Sequence, residues 1–247
     1  MYMFSSLVIV LSFISVIPLP QSIIPEWNSN NLRYFCIMLA VTGGLFALLW
    51  LSVWKILLLI PSMSSILRGF FMTVFTLSLT GGLHLDGLMD SCDAVFSHRD
   101  RNTRLEILSD THAGSFAVIG CVIVILAKTL LFSELLTLNI TPAIIPAYSR
   151  LGMAVLLNNL PFAKSGGLAV TLGSSRNQKH NLILAVMTVI LVYVGTWPEA
   201  VVFIVSLLLW RRLCLRMFGG ITGDLLGAFV EVSEVFMLMG AVIAQCT

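Results

Sequence analysis

Gly81-Gly82-Leu83-His84-Leu85-Asp86-Gly87-Leu88-Met89-Asp90-Ser91-Cys92-Asp93 closes an apolar run, Ile66 to Leu83, that is long enough to enter a membrane. Six of the chain's twelve acidic residues fall between Gly81 and Gly114. Asp86, Asp90 and Asp93 are spaced i, i+4, i+7, so on a helix they lie within about 60° of one another. Like charges on one stripe repel, and acids beside a membrane span are costly. A bound cation relieves both penalties. The competing reading is a solvated face at the end of a membrane helix.

Composition fixes the class. The 247 residues are 58% hydrophobic and 11% charged, with mean hydropathy +0.99, whereas soluble domains carry about 25% charged residues. The chain reads as a polytopic membrane protein whose apolar surface meets lipid as well as a core. A net charge of +2 gives no sign of a nucleic-acid partner. Cys36, Cys92, Cys121, Cys214 and Cys246 are scattered without a C-x-x-C pair, which argues against a disulfide framework and a zinc site. Met1 to Ile17 lacks a basic start and a small-residue cleavage site, so it reads as a retained first helix and not a signal peptide.

The other spans follow from the apolar runs. Tyr34 to Trp54 is a second span, and Lys55 to Ser65 a turn broken by Pro61. Ile66 to Leu83 is a third, running straight into the acidic stretch, and Ala94 to His112 is too polar to cross. Ser115 to Leu136 and Thr141 to Leu160 are the fourth and fifth, the latter enclosing Arg150. After a polar loop from Pro161 to His180, Asn181 to Gly195 and Pro198 to Leu209 form a tight pair. A basic, glycine-rich loop, Arg211 to Gly223, leads to a last helix, Leu225 to Gln245. The expectation is an all-α bundle of about seven or eight membrane-associated helices, one domain over residues 1–247, with no internal repeat.

Three loops carry the positive charge: Arg99, Arg101 and Arg104; Lys164, Arg176 and Lys179; Arg211, Arg212 and Arg216. Two spans separate each loop from the next, so all three face one side, and the positive-inside rule makes it cytoplasmic. The acidic stripe then sits at the cytoplasmic mouth of the bundle.

A second stripe lies far along the chain. Gly219-Gly220-Ile221-Thr222-Gly223 opens a helix on which Asp224, Gly227, Glu231 and Glu234 share a face. Gly220, Thr222 and Gly223 are placed to offer backbone N–H groups to a phosphate; the plainer reading is a loop with a polar pore lining. Glu106 and Asp110 form a further i, i+4 acid pair. Carboxylates on one helix face suit Mg²⁺, which takes oxygen ligands and keeps waters or substrate phosphates in its shell. Arg150 calls for an acid partner or a phosphate oxygen. Arg104, with Arg99 and Arg101, either holds anionic substrate or serves topology. His84 suits a general base or a hydrogen bond to an Asp, and His112 is open in the same way. Acids, Mg²⁺ and cations together fit phosphoryl transfer at a pyrophosphate.

The run Gly81 to Ala94, followed by Arg104-Leu105-Glu106-Ile107-Leu108-Ser109-Asp110, resembles the cobalamin synthases, the adenosylcobinamide-GDP ribazoletransferase family. Gly220-Ile221-Thr222-Gly223-Asp224-Leu225-Leu226-Gly227-Ala228, continuing to Glu231 and Glu234, is similar to that family's C-terminal signature. The opening Leu11-Ser12-Phe13, the Ile17-Pro18-Leu19-Pro20 turn and Ser149-Arg150 also fit. The resemblance implies a Mg²⁺-dependent enzyme of the bacterial inner membrane. Such an enzyme joins adenosylcobinamide-GDP to α-ribazole or its 5′-phosphate and releases GMP. It is compatible with a homo-oligomer or a complex with other cobalamin assembly enzymes. It implies Mg²⁺ on Asp86, Asp90 and Asp93. Glu106, Asp110, Asp224 and Glu231 would complete a second metal site or activate the ribose hydroxyl. Asp86, Asp90 and His84 become the candidate catalytic residues, and Arg150, Arg104, Gly220, Thr222 and Gly223 the candidate substrate contacts.

Two rivals differ in kind. A CDP-alcohol-type transferase needs D-x-x-D-G-x-x-A-R, which the sequence from Asp86 to Asp90 does not match. A cation transporter calls for acids near the bilayer midplane and repeated halves, and here the acids gather at one mouth.

Overall fold

A computed structural model describes residues 1–60, 62–166 and 171–245. Pro61, Cys246 and part of the polar loop after Pro161 lie outside them. The described chain is all-α, with ten helices. They are α1 (Tyr2–Ile14), α2 (Phe35–Leu58), α3 (Ser65–Leu79), α4 (Leu83–Phe96), α5 (Arg101–Ile107), α6 (Ser115–Leu138), α7 (Ile145–Asn159), α8 (His180–Val194), α9 (Trp197–Leu213) and α10 (Gly223–Ile243).

Among them α2, α6 and α10 are long and apolar enough to cross a membrane, and α3 with α4 counts as a fourth crossing only if the bent pair is one span. Of the seven or eight membrane-associated helices expected, three or four are thus of crossing length, and α1 and α8 are shorter apolar helices. The apolar runs of α1, α7 and α8 stop at 13 to 15 residues, and a full crossing needs about 20.

The third expected span is not straight. α3 and α4 meet at 90°. Gly81 and Gly82 take left-handed φ values of +61° and +76°, which only glycine adopts cheaply. The Gly82 N–H donates to Leu77 O and the Gly81 N–H to Ser78 O, both at 3.0 Å, closing α3 as a Schellman motif. The chain therefore turns before the acids begin.

Caps mark the other helix starts. Ser64, Asp100 and Thr222 accept from the backbone of α3, α5 and α10, and Thr196 with Glu199 makes a capping box on α9. The expected loop from Arg211 to Gly223 is partly helical, since Cys214–Phe218 continues α9 as a π-turn.

Small residues let the helices close. A Cβ at Gly43 would fall 2.8 Å from Pro146 O on α7, and one at Gly69 would meet the α6 backbone at Thr129. The core these contacts enclose includes Trp50 against Phe132, edge to face at 5.4 Å. Ile123, Leu126 and Leu130 on α6, and Val205, Leu208 and Leu209 on α9, are exposed. Such apolar faces suit a bilayer.

Candidate active site

The site is organised by the crossing of α4 over α10. A Cβ at Gly87 would fall 2.7 Å from Asp224 O, and one at Gly227 would fall 3.1 Å from His84 Cα. Each helix offers a glycine where the other's backbone arrives, so the two approach closely. This brings Asp86 and Asp90 to the first turn of α10, where Asp224 stands. The charges of Asp86, Asp224, Asp93 and Asp110 all bear on Asp90. Asp86 is exposed, and Asp90 and Asp224 are half-buried. Among the described residues none of these three is in a salt bridge. No group of three His, Cys, Asp or Glu side chains among them is close enough to form a metal site by itself.

Beside the acids opens a cavity of about 760 Å³. His84 and Asp86 line it from α4, and Thr222, Gly223, Asp224 and Gly227 from α10. Lys164 lines it from the loop after α7, donates to Ser109 Oγ and attracts Asp224. His84 is 1% exposed, and neither ring nitrogen has a hydrogen-bond partner. A buried imidazole without a partner is costly, and the charges that bear on His84 are those of Arg150, Glu234 and Lys128.

The glycine-rich turn is braced from outside. Gly219 takes φ +70°, and the Arg101 guanidinium lies against it. The Gly220 N–H donates to Cys214 O at 3.2 Å, and Ile221 bridges to the strand-like pair Pro161 and Phe162. Thr222 Oγ1 accepts from the Leu225 N–H at 3.3 Å. Gly220 thus shapes the turn, while Thr222 and Gly223 face the cavity.

The far end of the second stripe does something different. Lys128 Nζ donates to Glu231 Oε2 at 2.6 Å and to Glu234 Oε2 at 2.8 Å. Glu234 Oε1 takes Ser149 Oγ at 2.9 Å and pairs with Arg150. The Arg150 guanidinium sits 5.0 Å from the Phe46 ring centre. All four charged side chains are buried, and the two acids balance the two bases. The quartet ties α6, α7 and α10 together. Lys128 escaped the sequence reading, although one lysine inside a 24-residue apolar helix was the signal for a buried partner.

Asp93 is also engaged. Its Oδ2 accepts from the Gly114 N–H at 2.6 Å and its Oδ1 from the Ala117 N–H at 2.9 Å. Gly114 has no side chain to cap α6, so Asp93 serves from α4. Glu106 is exposed on α5, and Arg104 is half-buried there with its Nε unpartnered. Asp110 holds His112 Nδ1 at 2.7 Å, and this bond keeps its carboxyl below the ordinary carboxylate range.

The sequence profile of cobalamin-5-phosphate synthase matches residues 6–242. An adenosylcobinamide-GDP ribazoletransferase of Desulfitobacterium hafniense is 34% identical, with 94% of each chain covered. One of Geobacillus thermodenitrificans is 32% identical over 95% of this chain and 94% of its own. One of Clostridium botulinum is 30% identical over 97% of both. No solved structure matches the chain.

Proposed function

The chain belongs to the cobalamin-5-phosphate synthase family, and from that premise we propose that the cavity between α4 and α10 is where it carries out its reaction. It is an adenosylcobinamide-GDP ribazoletransferase. It transfers adenosylcobinamide phosphate from adenosylcobinamide-GDP to α-ribazole or α-ribazole 5′-phosphate and releases GMP. The observation that carries the site assignment is the meeting of three acids without a paired cation, Asp86, Asp90 and Asp224, beside a cavity holding an unpartnered His84.

The chemistry of these three carboxylates fits Mg²⁺, and since they do not close a metal site by themselves, water and substrate phosphates would complete its shell. Their donors are all oxygen, no lysine or arginine pairs with them among the described residues, and fewer than a full ligand set leaves room for water and phosphate. Asp86, Asp90 and Asp224 would hold the ion, and Asp110 with Glu106 are the candidates for a second one. When bound, Mg²⁺ would neutralise the pyrophosphate oxygens and the leaving GMP.

The protein's own groups do the rest. Lys164 and the first turn of α10 at Thr222 and Gly223 hold phosphate oxygens. Arg104 is a further phosphate contact from α5. A ribose hydroxyl of the acceptor donates to a ring nitrogen of His84. Its proton passes there as its oxygen bonds to phosphorus, and the P–O bond to GMP breaks. Glu234 and the donor's phosphate charge would offset the cost of a buried imidazolium, which Arg150 and Lys128 oppose. Asp93, Glu231 and Arg150 act by fixing α6, α7 and α10. Lys164 reaches Ser109 and Arg101 lies against Gly219, so the three basic loops gather at one end of the bundle, and the positive-inside rule supports a cytoplasmic orientation for the cavity, where a soluble nucleotide donor would reach it.

Purified protein given adenosylcobinamide-GDP and α-ribazole should release GMP only while Mg²⁺ is present. An unchanged rate after chelation, or in Asp86→Asn, would overturn this reading.

A further inference from the structure

One wall of the cavity has no part in that chemistry. α1, α2, α7 and the following loop give it Phe13, Phe35, Met153, Leu157 and Phe162. The Phe13 and Phe35 rings stand 6.2 Å apart at 60°. Both pack on Trp27, at 5.5 and 6.5 Å. Phe162 is held by Arg176, whose guanidinium lies 3.5 Å from its ring centre. None of these five lining side chains carries a strong hydrogen-bonding group.

Phosphates gain nothing from such a wall. A planar apolar ring does, since aromatic partners add binding beyond the area they bury. Size narrows the choice further. A cavity of about 760 Å³ has the dimensions of a small-molecule site, which suits a nucleoside and not a whole corrinoid donor. The reaction brings three bases: the adenine of the adenosyl group, guanine and the benzimidazole of ribazole. Adenine and guanine carry donors and acceptors along their edges, and burying them against phenylalanine and leucine leaves them unpaired at a cost. The benzimidazole of ribazole is a two-ring, methyl-bearing base with one ring nitrogen free.

We infer that the wall formed by Phe13 and Phe162, with Phe35 buried behind Phe13, is the binding site for the acceptor's base. The acceptor enters base-first onto this wall and brings its ribose to His84. The donor's pyrophosphate approaches from the side of Asp86, Asp90 and Asp224. This assignment rests on the reading of His84 and the acids given above. Arg176 keeps the Phe162 ring in place from outside.

Phe162→Leu and Phe35→Leu test it in the full-length protein in detergent. Phe162 lies in a loop and is half-buried, so its variant stays informative if Phe35→Leu, in the core, does not fold. The expected result is a rise of about tenfold in the KM for α-ribazole and in its Kd by titration calorimetry without donor. The KM for adenosylcobinamide-GDP should stay within about twofold. An unchanged Kd for α-ribazole in Phe162→Leu overturns the inference, and so does a variant that weakens GMP instead. The two readings fail separately. Weakened α-ribazole binding in Phe162→Leu together with full activity in Asp86→Asn refutes the acid site alone. A protein that needs Asp86 but binds α-ribazole unchanged in Phe162→Leu refutes the base wall alone.

Discussion

Lys128 on α6 and Glu231 on α10 are joined at 2.6 Å with both side chains buried. Glu231 therefore stands on the same helix face as Asp224 yet serves a different purpose. Lys128→Met should leave Glu231 without a cation and Glu234 with Arg150 alone. The expected loss is about 3–5 kcal/mol, read as a lower midpoint of unfolding in detergent. Lys128→Met combined with Glu231→Gln should recover part of it. An unchanged midpoint in the single variant would show that the pair does not hold α6 to α10.

Asp93 separates capping from metal binding. Asp93→Ala removes the acceptor for two N–H groups at the start of α6 and should cost about 1 kcal/mol. Asp93→Asn should retain part of that stability. Neither should move the Mg²⁺ concentration needed for half-maximal GMP release. A marked shift in that concentration would make Asp93 a ligand after all.

The opposite is expected across the crossing. Asp224→Asn should lower GMP release by about a hundredfold or more and raise the Mg²⁺ requirement, with the unfolding midpoint little changed. Glu231→Gln should show the reverse pattern, losing stability before it alters the Mg²⁺ requirement. Identical Mg²⁺ titrations for the two variants would refute the division between them.

Two alanine substitutions probe the approach of α4 to α10. Gly87→Ala places a methyl against the Asp224 backbone, which cannot swing aside, and should cost about 1–3 kcal/mol together with activity. Gly44→Ala points into open space on α2 and should be neutral or stabilising by up to about 1 kcal/mol. Equal thermal midpoints would show that close approach is not what Gly87 supplies.

The all-α class and the membrane-length helices were legible from the apolar runs, and helical spacing alone puts Asp86 and Asp90 on one face. The partition of the second stripe was not legible. Glu231 and Glu234 differ from Asp224 through Lys128, which lies 103 residues before Glu231, and no local pattern reports such a contact. The capping of α6 by Asp93 was not legible for the same reason, since the Gly114 N–H it accepts lies 21 residues on. Three or four helices are of crossing length where seven or eight membrane-associated ones were expected, and hydropathy alone does not distinguish a helix inside the protein, such as α7 with most of its residues buried, from one that faces lipid. The elbow after α3 was legible in principle. Paired glycines after an apolar run signal a helix end, and here their left-handed turn shapes the chain.

That elbow also separates the protein's response to its lipid from its response to its substrates. A straight α3–α4 rod would carry Asp86 and Asp90 up or down whenever bilayer thickness changed its tilt. With the turn fixed at Gly81 and Gly82, α3 adjusts to the membrane while α4 stays registered on α10 through Gly87 and Gly227. Turnover in thin and thick bilayers should therefore differ little, and joining the two helices by replacing both glycines with alanine should make the enzyme sensitive to the length of the surrounding lipid.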